Sequence, residues 1–371
     1  MAPVVKELKK NKRFQVVTVV SAQHRNLLDQ VLRLYQLKSD RDLDLMKKGQ
    51  SLFDITTRIL NRFDPTLDRL KPDLVLVHGD TTTTLGGALS SFYKKIPVGH
   101  VEAGLRTRDL YQPFPEEMNR RLTDSLTTLF FPPTREAKQH LLSENHTPNH
   151  IFVTGNTVID ALLEINRHKR NPKNPRLRKI LQSLNLNKNK VVLMTAHRRE
   201  NFGERFSRIF KTIRDLGQEF PHVHWIYPVH PNPRVKKSAE KIFKKITNIH
   251  LLSPVDYGDL VTVMKKSTLV VTDSGGLQEE APSLGKPVLV LRDVTERPEA
   301  VRAGTVRLVG ANPRKIKKEV IRLLSDKRYY QKMANAVNPY GDGKAAKRIR
   351  HAIEWYFGMK RNKPVPFRDK S

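Results

Sequence analysis

The alternation of short β-branched runs with amphipathic stretches constrains the fold of this chain more than any other feature. FQVVTVVS at residues 14–21 and DLVLVH at residues 73–78 are each followed by a helical pattern. VVLMT at residues 191–195 begins a second series, which includes strands predicted at residues 249–252 and 269–272. This order is typical of βαβ units, in which helices cover both faces of a parallel sheet. The sequence therefore predicts an α/β fold with two doubly wound domains.

The length and one break in this pattern indicate how the chain divides. A chain of 371 residues is longer than one hydrophobic core usually supports. Around residues 172–175 the sequence is rich in Pro, Asn and Lys and poor in apolar residues, as linkers often are. We expect a first domain over residues 1–170, a second over 171–345, and a C-terminal helix with a basic tail over 346–371.

Positive charge is concentrated in the second half of the chain. Residues 151–371 contain 45 Lys and Arg against 20 Asp and Glu, a net charge of +25, whereas residues 1–150 have a net charge of +6. Such a surplus attracts nucleic acid, anionic lipid or an anionic metabolite. The basic runs lack interleaved aromatic residues and match no nucleic-acid-binding module, so we expect a mainly solvated surface and no nucleic-acid partner.

Composition also limits which cofactors and which cellular compartments are possible. The chain contains no cysteine, which excludes disulfides and thiolate metal sites. No apolar run approaches the ~20 residues that span a bilayer, and no signal-peptide pattern follows the basic N-terminus. We expect a cytoplasmic protein without a membrane span, a metal or another cofactor.

Three carboxylates in the first half are candidates for acid–base catalysis. Asp80 follows a strand in HGDTTTT, although it could instead cap the helix that begins there. Glu102 follows the apolar strand at residues 98–101, where partial burial would suit a group that transfers protons. Glu116 lies in PFPEE, where prolines stiffen the loop, and Glu117 could simply be the first acidic residue of the next helix.

A turn in the second half, TDSGGLQEE at residues 272–280, leads into a helix predicted over residues 277–284 and has the composition of a phosphate-binding turn. Ser274, Gly275 and Gly276 are small residues whose backbone N–H groups stand where a helix should begin, and such N–H groups suit phosphate oxygens. A carboxylate in this helix, such as Glu280, could accept hydrogen bonds from a ribose diol. The alternative interpretation is a tight turn followed by acidic residues that cap a helix.

Cationic and imidazole side chains follow two further strands. His197 and Arg198 begin HRREN after the strand at residues 191–195, and His230 lies between prolines after the strand at residues 223–227. Guanidinium groups at a strand end suit phosphate or carboxylate, but a basic turn and a structural histidine are the alternatives. Ligands of open α/β sheets bind beyond the carboxyl ends of strands, where all of these residues fall.

The chain resembles the non-hydrolysing UDP-N-acetylglucosamine 2-epimerases over nearly its whole length. The matching blocks run in order along the sequence and are SAQHR, LVHGDTTTT, HVEAGLRT, PFPEEMNR, VTGNTVIDAL, HRREN, YPVHPNP, TDSGGLQEEAPSLGKPVLVLRD, TERPEAVRAGTVRLVG and NPYGDG. The resemblance implies two Rossmann-like domains of the GT-B type, with the site in the cleft between them. It implies reversible epimerisation of UDP-GlcNAc to UDP-ManNAc through elimination and re-addition of UDP, with 2-acetamidoglucal as intermediate, and a homodimer.

The same resemblance implies roles for individual residues. Asp80, Glu102 and Glu116 match the catalytic carboxylates of the family, and His197 matches an important histidine. By the same match Ser274, Gly275 and Gly276 would bind the diphosphate, Glu280 the ribose, and Arg297 would line the nucleotide site. From their positions after strands we also expect Arg198 and His230 to bind the substrate. Gln23 and His24 fall near the place where some bacterial members bind a second, activating UDP-GlcNAc.

The start of the chain departs from the family pattern. Members begin with a strand that ends in Gly-Thr-Arg-Pro-Glu, whereas this sequence begins Met1-Ala2-Pro3, so we expect the central first strand and its arginine to be missing. Two other functions follow as alternatives. One is a catalytically impaired sugar-nucleotide-binding homologue, and the other is a GT-B glycosyltransferase, against which the three carboxylates and HRREN argue.

Overall fold

Every strand pairing in the described residues is parallel, which confirms the predicted α/β class. The computed structural model describes residues 1–22, 25–47, 49–168, 171–295 and 297–368. These residues form two compact units, one of Met1–Ala161 with Tyr340–Arg368 and the other of Leu162–Pro339. The domain boundaries that the sequence predicted, after residues 170 and 345, stay a prediction.

The strands are short and follow the β-branched runs of the sequence. They are β1 (Val19–Val20), β2 (Arg41–Asp42), β3 (Val75–His78), β4 (Val98–Val101), β5 (Leu129–Phe131), β6 (Lys190–Thr195), β7 (Val223–Pro228), β8 (Ile249–Leu252), β9 (Leu269–Thr272), β10 (Val288–Val290) and β11 (Val306–Leu308).

The helices occupy the amphipathic stretches between and around these strands. They are α1 (Ala2–Leu8), α2 (Arg25–Leu34), α3 (Leu52–Leu70), α4 (Thr82–Tyr93), α5 (Glu116–Ser125), α6 (Arg135–Ser143), α7 (Thr157–Arg167), α8 (Pro175–Ser183), α9 (Glu204–Glu219), α10 (Pro233–Phe243), α11 (Tyr257–Lys266), α12 (Gly275–Glu280), α13 (Pro298–Arg302), α14 (Pro313–Ser325), α15 (Lys327–Ala334) and α16 (Ala345–Tyr356). Among the helices of the described ranges, none combines the length and the apolar character that crossing a bilayer requires.

The first unit contains two small parallel sheets. β1 pairs with β2, and β3, β4 and β5 form a three-stranded sheet in that order. The sequence predicted a strand over residues 14–21, but only Val19–Val20 are paired, because β2 offers two residues for pairing. Phe14 and Val16 pack instead onto an apolar cluster as irregular chain. The register pairs His78 with Val101, so the residues after β3 and after β4 lie at the same sheet edge.

The C-terminal helix α16 belongs to the first unit. Asp160 accepts hydrogen bonds from the backbone N–H groups of Ala345 and Ala346 at 3.1 and 3.0 Å, which satisfies donors that the first turn of a helix leaves unpaired. The sequence predicted the helix but not its location, since an amphipathic pattern does not specify the core that it covers. The cluster it joins consists of Val4, Leu8, Val101, Leu129, Phe131, Phe152, Ala346, Ile349, Ala352 and Ile353.

The second unit is a six-stranded doubly wound sheet. Its strand order is β11-β10-β9-β6-β7-β8, and the order reverses between β6 and β9. This reversal is the position at which open α/β sheets bind ligands. Thr195 pairs with Thr272 there, and their hydroxyl oxygens lie 2.6 Å apart. The loops that begin with His197 and Ser274 therefore leave neighbouring strand ends.

The helix after the Ser-Gly-Gly turn differs from the expected one. The sequence predicted a helix over residues 277–284, whereas α12 covers Gly275–Glu280 and a 3₁₀ turn follows over Ala281–Leu284. Pro282 has no backbone N–H and therefore cannot continue the α-helical hydrogen-bond pattern. The α-helix begins earlier than expected, directly after the proposed phosphate-binding serine.

Candidate active site

The turn after β3 presents Asp80 beside Glu102. Gly79 has a φ of +73°, a conformation that favours glycine, and a Cβ at this position would lie 3.4 Å from Oε2 of Glu102. Nη2 of Arg120 donates a hydrogen bond to Oδ2 of Asp80 at 2.5 Å, and Nδ2 of Asn119 donates to the Asp80 carbonyl oxygen at 2.9 Å. The structure therefore brings two of the three candidate carboxylates to one sheet edge.

Asp80 is not the cap of the following helix. Thr81 is the N-cap residue of α4, and its side chain accepts a hydrogen bond from the backbone N–H of Thr84. The hydroxyl of Thr84 donates to the carbonyl oxygen of His78 at 2.6 Å. Thr81 and Thr84 thus stabilise the start of α4, and they leave the Asp80 carboxylate to other partners.

Glu102 lies in a backbone conformation that is uncommon for its residue type. Its φ is 71°, in the left-handed region. Nδ2 of Asn156 donates a hydrogen bond to Oε1 at 2.9 Å, and Nε2 of His78 lies 3.5 Å from Oε2. Burial lowers the pKa of His78 well below its ordinary value, so this imidazole is neutral. Strained backbone of this kind is concentrated at functional sites.

The two acidic residues at the start of α5 have different surroundings. Oε2 of Glu116 is buried and has no hydrogen-bond partner in the part of the chain that the structure describes. Glu117 is fully buried and accepts hydrogen bonds from the backbone N–H of Thr107 at 3.0 Å and from Nη1 of Arg120 at 3.0 Å. Glu117 is therefore a structural residue of the helix start, and Glu116 is the one whose carboxylate lacks a donor.

In the second unit, Asp273 organises the loop that contains His197. Asp273 is fully buried, and its carboxylate accepts hydrogen bonds from the backbone N–H groups of His197 and Arg198 and from Nδ2 of Asn201. Nδ1 of His197 lies 3.1 Å from Oδ1 of Asp273. Burial would raise the pKa of Asp273, but the hydrogen bonds from this loop lower it below its ordinary value. Asp273 was not among the site residues predicted from the sequence. Its position directly after β9 was the sequence feature that could have indicated it.

The rings of His197 and His230 are stacked beside a cavity. Their centroids are 5.6 Å apart and their planes differ by 16°. Burial, and then the charge of His197, lower the pKa of His230. The cavity has a volume of about 230 Å³, and its lining comprises Thr195, Ala196, His197, Pro228, Val229, His230, Pro231, Pro254, Val255, Leu260, Ser274 and Leu277. The structure thus brings His197, His230 and Ser274 to one cavity.

Two guanidinium groups lie in the same unit. Nε of Arg198 is buried without a hydrogen-bond partner among the described residues. Arg297 donates from Nε to Oε1 of Glu279 at 2.8 Å, and a Cβ built at Gly275 would lie 3.3 Å from the Arg297 Cζ. Arg297 therefore lies against the first residue of α12, and its predicted place beside the nucleotide stays a prediction.

Glu280 is a buried carboxyl group. Its side chain lies at the end of α12, and burial raises its pKa to about 8, against a smaller opposing effect of a hydrogen bond with Tyr257. The group is therefore mostly protonated at neutral pH, so it can both donate and accept a hydrogen bond. Gln23 and His24, the remaining predicted site residues, lie outside the described residues.

A doubly wound unit with a histidine–carboxylate pair beside a glycine turn, together with carboxylates grouped at a sheet edge of another unit, is typical of nucleotide-sugar enzymes of the GT-B fold class. The sequence model described as UDP-N-acetylglucosamine 2-epimerase matches residues 6–354. The chain belongs to the UDP-N-acetylglucosamine 2-epimerase family, which confirms both the predicted isomerase class and the predicted reaction.

Individual relatives agree with this assignment. The chain is 52% identical over 358 residues to the UDP-N-acetylglucosamine 2-epimerase of Yersinia pestis, with 95% of this chain and 94% of the relative covered. It is 50% identical over 358 residues to the enzyme of Escherichia coli strain K12, with the same coverage. The crystal structure of the Neisseria meningitidis UDP-GlcNAc 2-epimerase bound to UDP-GlcNAc has 48% identity and a TM-score of 0.85, with 96% of each chain covered.

These similarities also bear on the two alternatives. Neither the impaired homologue nor the glycosyltransferase is favoured, because relatives at about half identity over nearly the full length have the epimerase name. The predicted GT-B-like class with two Rossmann-like domains is confirmed.

Proposed function

We propose that the chain interconverts UDP-GlcNAc and UDP-ManNAc with Asp80, Glu102 and Glu116 as the proton-handling residues. One carboxylate removes the C2 proton while the bond between C1 and the UDP oxygen breaks, which yields 2-acetamidoglucal and UDP. A proton then returns to the opposite face of C2, and UDP adds again at C1. The single observation behind this proposal is the grouping of Asp80 and Glu102 at one sheet edge, where α5, the helix that begins at Glu116, is bonded to Asp80 through Arg120.

The three carboxylates differ in the donors that they already have. Asp80 accepts from Arg120, and Glu102 accepts from Asn156. Oε2 of Glu116 is buried and has no donor in the described ranges. A carboxylate oxygen without a donor keeps its lone pairs for a substrate proton, so we assign Glu116 to proton abstraction in one direction. Asp80 and Glu102 then hold or return the proton on the other face.

The second unit supplies the groups that stabilise the departing diphosphate. Asp273 accepts a hydrogen bond from Nδ1 of His197, so Nε2 is left for a phosphate oxygen. Arg198 adds a buried Nε without a described partner. The backbone N–H groups of Gly275 and Gly276 complete this set with Ser274. Positive groups that face developing negative charge lower the barrier to its formation.

The protonated carboxyl group of Glu280 suits the ribose. A neutral carboxyl group exchanges hydrogen bonds with two hydroxyl groups without placing a second negative charge near the diphosphate. The flat uracil base of UDP then fits the largely apolar cavity beside His230. Arg297 borders the start of α12.

Incubation with UDP-GlcNAc in D₂O, followed by NMR at C2, tests the proton-handling roles. We expect the parent chain to incorporate deuterium at C2 and to form UDP-ManNAc, and Asp80→Asn, Glu102→Gln and Glu116→Gln each to lose about 100-fold or more in rate. Asp68→Asn is the matched control, because Asp68 is an exposed carboxylate paired with Lys94 in the same unit. Full exchange in the three variants would show that these residues are not the proton carriers.

We also propose that the chain forms a homodimer through α3 and α4 of the first unit. These helices pack on each other and present large apolar side chains to solvent, of which Phe53 is 86% and Tyr93 is 69% exposed. Exposed apolar patches commonly mark protein interfaces. We expect the parent to sediment as a dimer and Phe53→Glu as a monomer, whereas a monomeric parent would contradict the proposal.

Three further assignments stay proposals. A cytoplasmic location agrees with a chain that has no cysteine and so needs no oxidising compartment to fold; cell fractionation tests it. Binding of a second UDP-GlcNAc at Gln23 and His24 would appear as sigmoidal kinetics that their substitution removes. Nucleic acid is not an expected partner, which a filter-binding measurement checks.

A further inference from the structure

One fully buried histidine makes hydrogen bonds through both ring nitrogens. Nδ1 of His100 lies 2.7 Å from Oδ1 of Asp124, and its Nε2 lies 2.8 Å from the carbonyl oxygen of Gly79. Asp124 is also fully buried, and it accepts further hydrogen bonds from Nη2 of Arg106 at 2.7 Å and from the backbone N–H of Gly104 at 3.2 Å.

The partners of His100 determine its protonation state. A carbonyl oxygen only accepts hydrogen bonds, and so does an ionised carboxylate. A neutral imidazole has one N–H, and either tautomer would leave one ring nitrogen facing an acceptor with no hydrogen between them. Only the imidazolium ion satisfies both contacts. Burial would raise the pKa of Asp124, but the charges and hydrogen bonds of His100 and Arg106 lower it, so Asp124 is ionised.

The charges around His100 balance when it is cationic. Arg106 bridges the buried Asp124 and the partly exposed Glu144, so two cations and two carboxylates form one connected cluster in which His100, Asp124 and the Arg106 side chain are buried. The cluster is neutral when His100 is cationic, whereas a neutral His100 would leave it with one excess negative charge.

His100 connects the three elements that contain the proposed proton-handling residues. Its own strand, β4, is followed directly by Glu102, and Gly79 precedes Asp80 at the end of β3. Asp124 lies on α5, which begins at Glu116 and also contains Arg120, the donor to Asp80. A displacement of His100 would therefore move all three carboxylates relative to one another.

We propose that His100 is a permanent imidazolium ion that positions Asp80, Glu102 and Glu116 for proton transfer, with Asp124 as the counterion that keeps it charged. This inference rests on the proposed function, since it concerns the same three carboxylates. His100 does not touch the substrate in this scheme. It is a positioning residue, and its charge is part of its function.

The groups that face His100 set its response to pH. They are Asp124 from α5 and, from β3, the neutral imidazole of His78 and the carbonyl oxygen of Gly79; behind Asp124 lie Arg106 and Glu144.

Imidazole ¹⁵N spectra of the parent chain give the direct test. We expect both ring nitrogens of His100 to remain protonated from about pH 6 to about pH 9, whereas an ordinary histidine loses its charge within that range. Loss of one proton inside this range would overturn the proposal. This measurement needs no variant and no catalytic turnover, so its failure is independent of the proposed roles of the carboxylates.

Kinetics of Asp124→Asn test the functional part. The amide can still accept from Nδ1, but it no longer holds the imidazolium charge, so we expect kcat to fall by about 100-fold as the pH rises from about 6 to about 9, with activity recovered at low pH. KM should change little, because the nucleotide-binding groups lie in the second unit. A loss of kcat that is equal at every pH would indicate a structural role only and would overturn the proposal.

His100→Gln and a control complete the design. His100→Gln keeps one donor without the charge, and we expect a loss of kcat of about 100-fold with KM within about threefold of the parent. His150→Gln is the matched control, since His150 packs edge-on against Trp355 and Tyr356 in the same unit. We expect the control to keep the pH profile of the parent. If Asp80→Asn and Glu116→Gln retain exchange, the proposed function fails, whatever the spectra of His100 show.

Discussion

The buried carboxylate of Asp273 lies 3.1 Å from Nδ1 of His197 and also accepts the backbone N–H of the same residue. One side chain therefore fixes both the loop and the ring of the histidine. The arrangement sets the tautomer of His197, with Nδ1 protonated, and leaves Nε2 on the side of the stacked His230 and the cavity. A carboxylate–histidine pair at a strand end is a common way to hold an imidazole in a catalytic orientation.

Substitution of Asp273 by Asn removes the carboxylate that holds both the ring of His197 and its loop. We expect kcat to fall by about 100-fold or more, because the imidazole is no longer held in place for the departing diphosphate, and the affinity for UDP to fall as well. Steady-state kinetics and calorimetric titration with UDP measure the two effects. The control is Asp293→Asn, since Asp293 is an exposed carboxylate paired with Arg205 in the same unit. Equal effects in both variants would show that the pairing with His197 is not important.

The buried carboxyl group of Glu280 predicts a pH dependence of stability. Its pKa of about 8 in the folded chain lies above the ordinary value of 4.5, so the folded state binds the proton more tightly than the unfolded state. The contribution of Glu280 to the free energy of unfolding is therefore complete below about pH 4.5. It decreases by about 1 kcal/mol per pH unit as the pH rises toward about 8.

Comparison of Glu280→Gln with the parent isolates this effect. The amide cannot ionise, so we expect the free energy of unfolding of the variant to exceed that of the parent increasingly between about pH 5 and about pH 8. Denaturant unfolding at several pH values measures the difference. The exposed Glu240→Gln should show no such trend, and a constant offset for Glu280→Gln would contradict the prediction.

Substitution of Gly79 should affect both stability and activity. Alanine at this position requires a left-handed conformation and places a Cβ 3.4 Å from Oε2 of Glu102. We expect Gly79→Ala to cost about 1–2 kcal/mol in the free energy of unfolding and to reduce kcat, because the strained turn moves Asp80, the next residue, while the added Cβ contacts Glu102.

Gly358→Ala separates the two contributions. Gly358 has a φ of +67° in the same unit, and a Cβ at this position would have no atom of the described residues within 4 Å. We therefore expect a similar loss of stability with unchanged kcat. A kcat for Gly79→Ala that equals that of Gly358→Ala would show that the contact with Glu102 has no effect on catalysis.

Much of the fold followed from local pattern. β8 and β9 coincide with the predicted runs at residues 249–252 and 269–272, because a buried parallel strand reads as a short apolar run bounded by turn residues. The strand predicted at residues 14–21 was too long, since apolar residues that pack as irregular chain have the same composition as a strand. The location of α16 could not be predicted either, because its apolar face fits any complementary core.

The sequence by itself determined the family and the reaction, and its motifs predicted the residues of the site, among them Asp80, Glu102, Glu116 and His197. Only the tertiary structure decided how these groups are held. Contacts such as His100 with Asp124, and His197 with Asp273, join residues 24 and 76 positions apart. The first pair joins strand β4 to helix α5, and the second joins the ends of two paired strands, β6 and β9. No local pattern in the sequence contains either proximity.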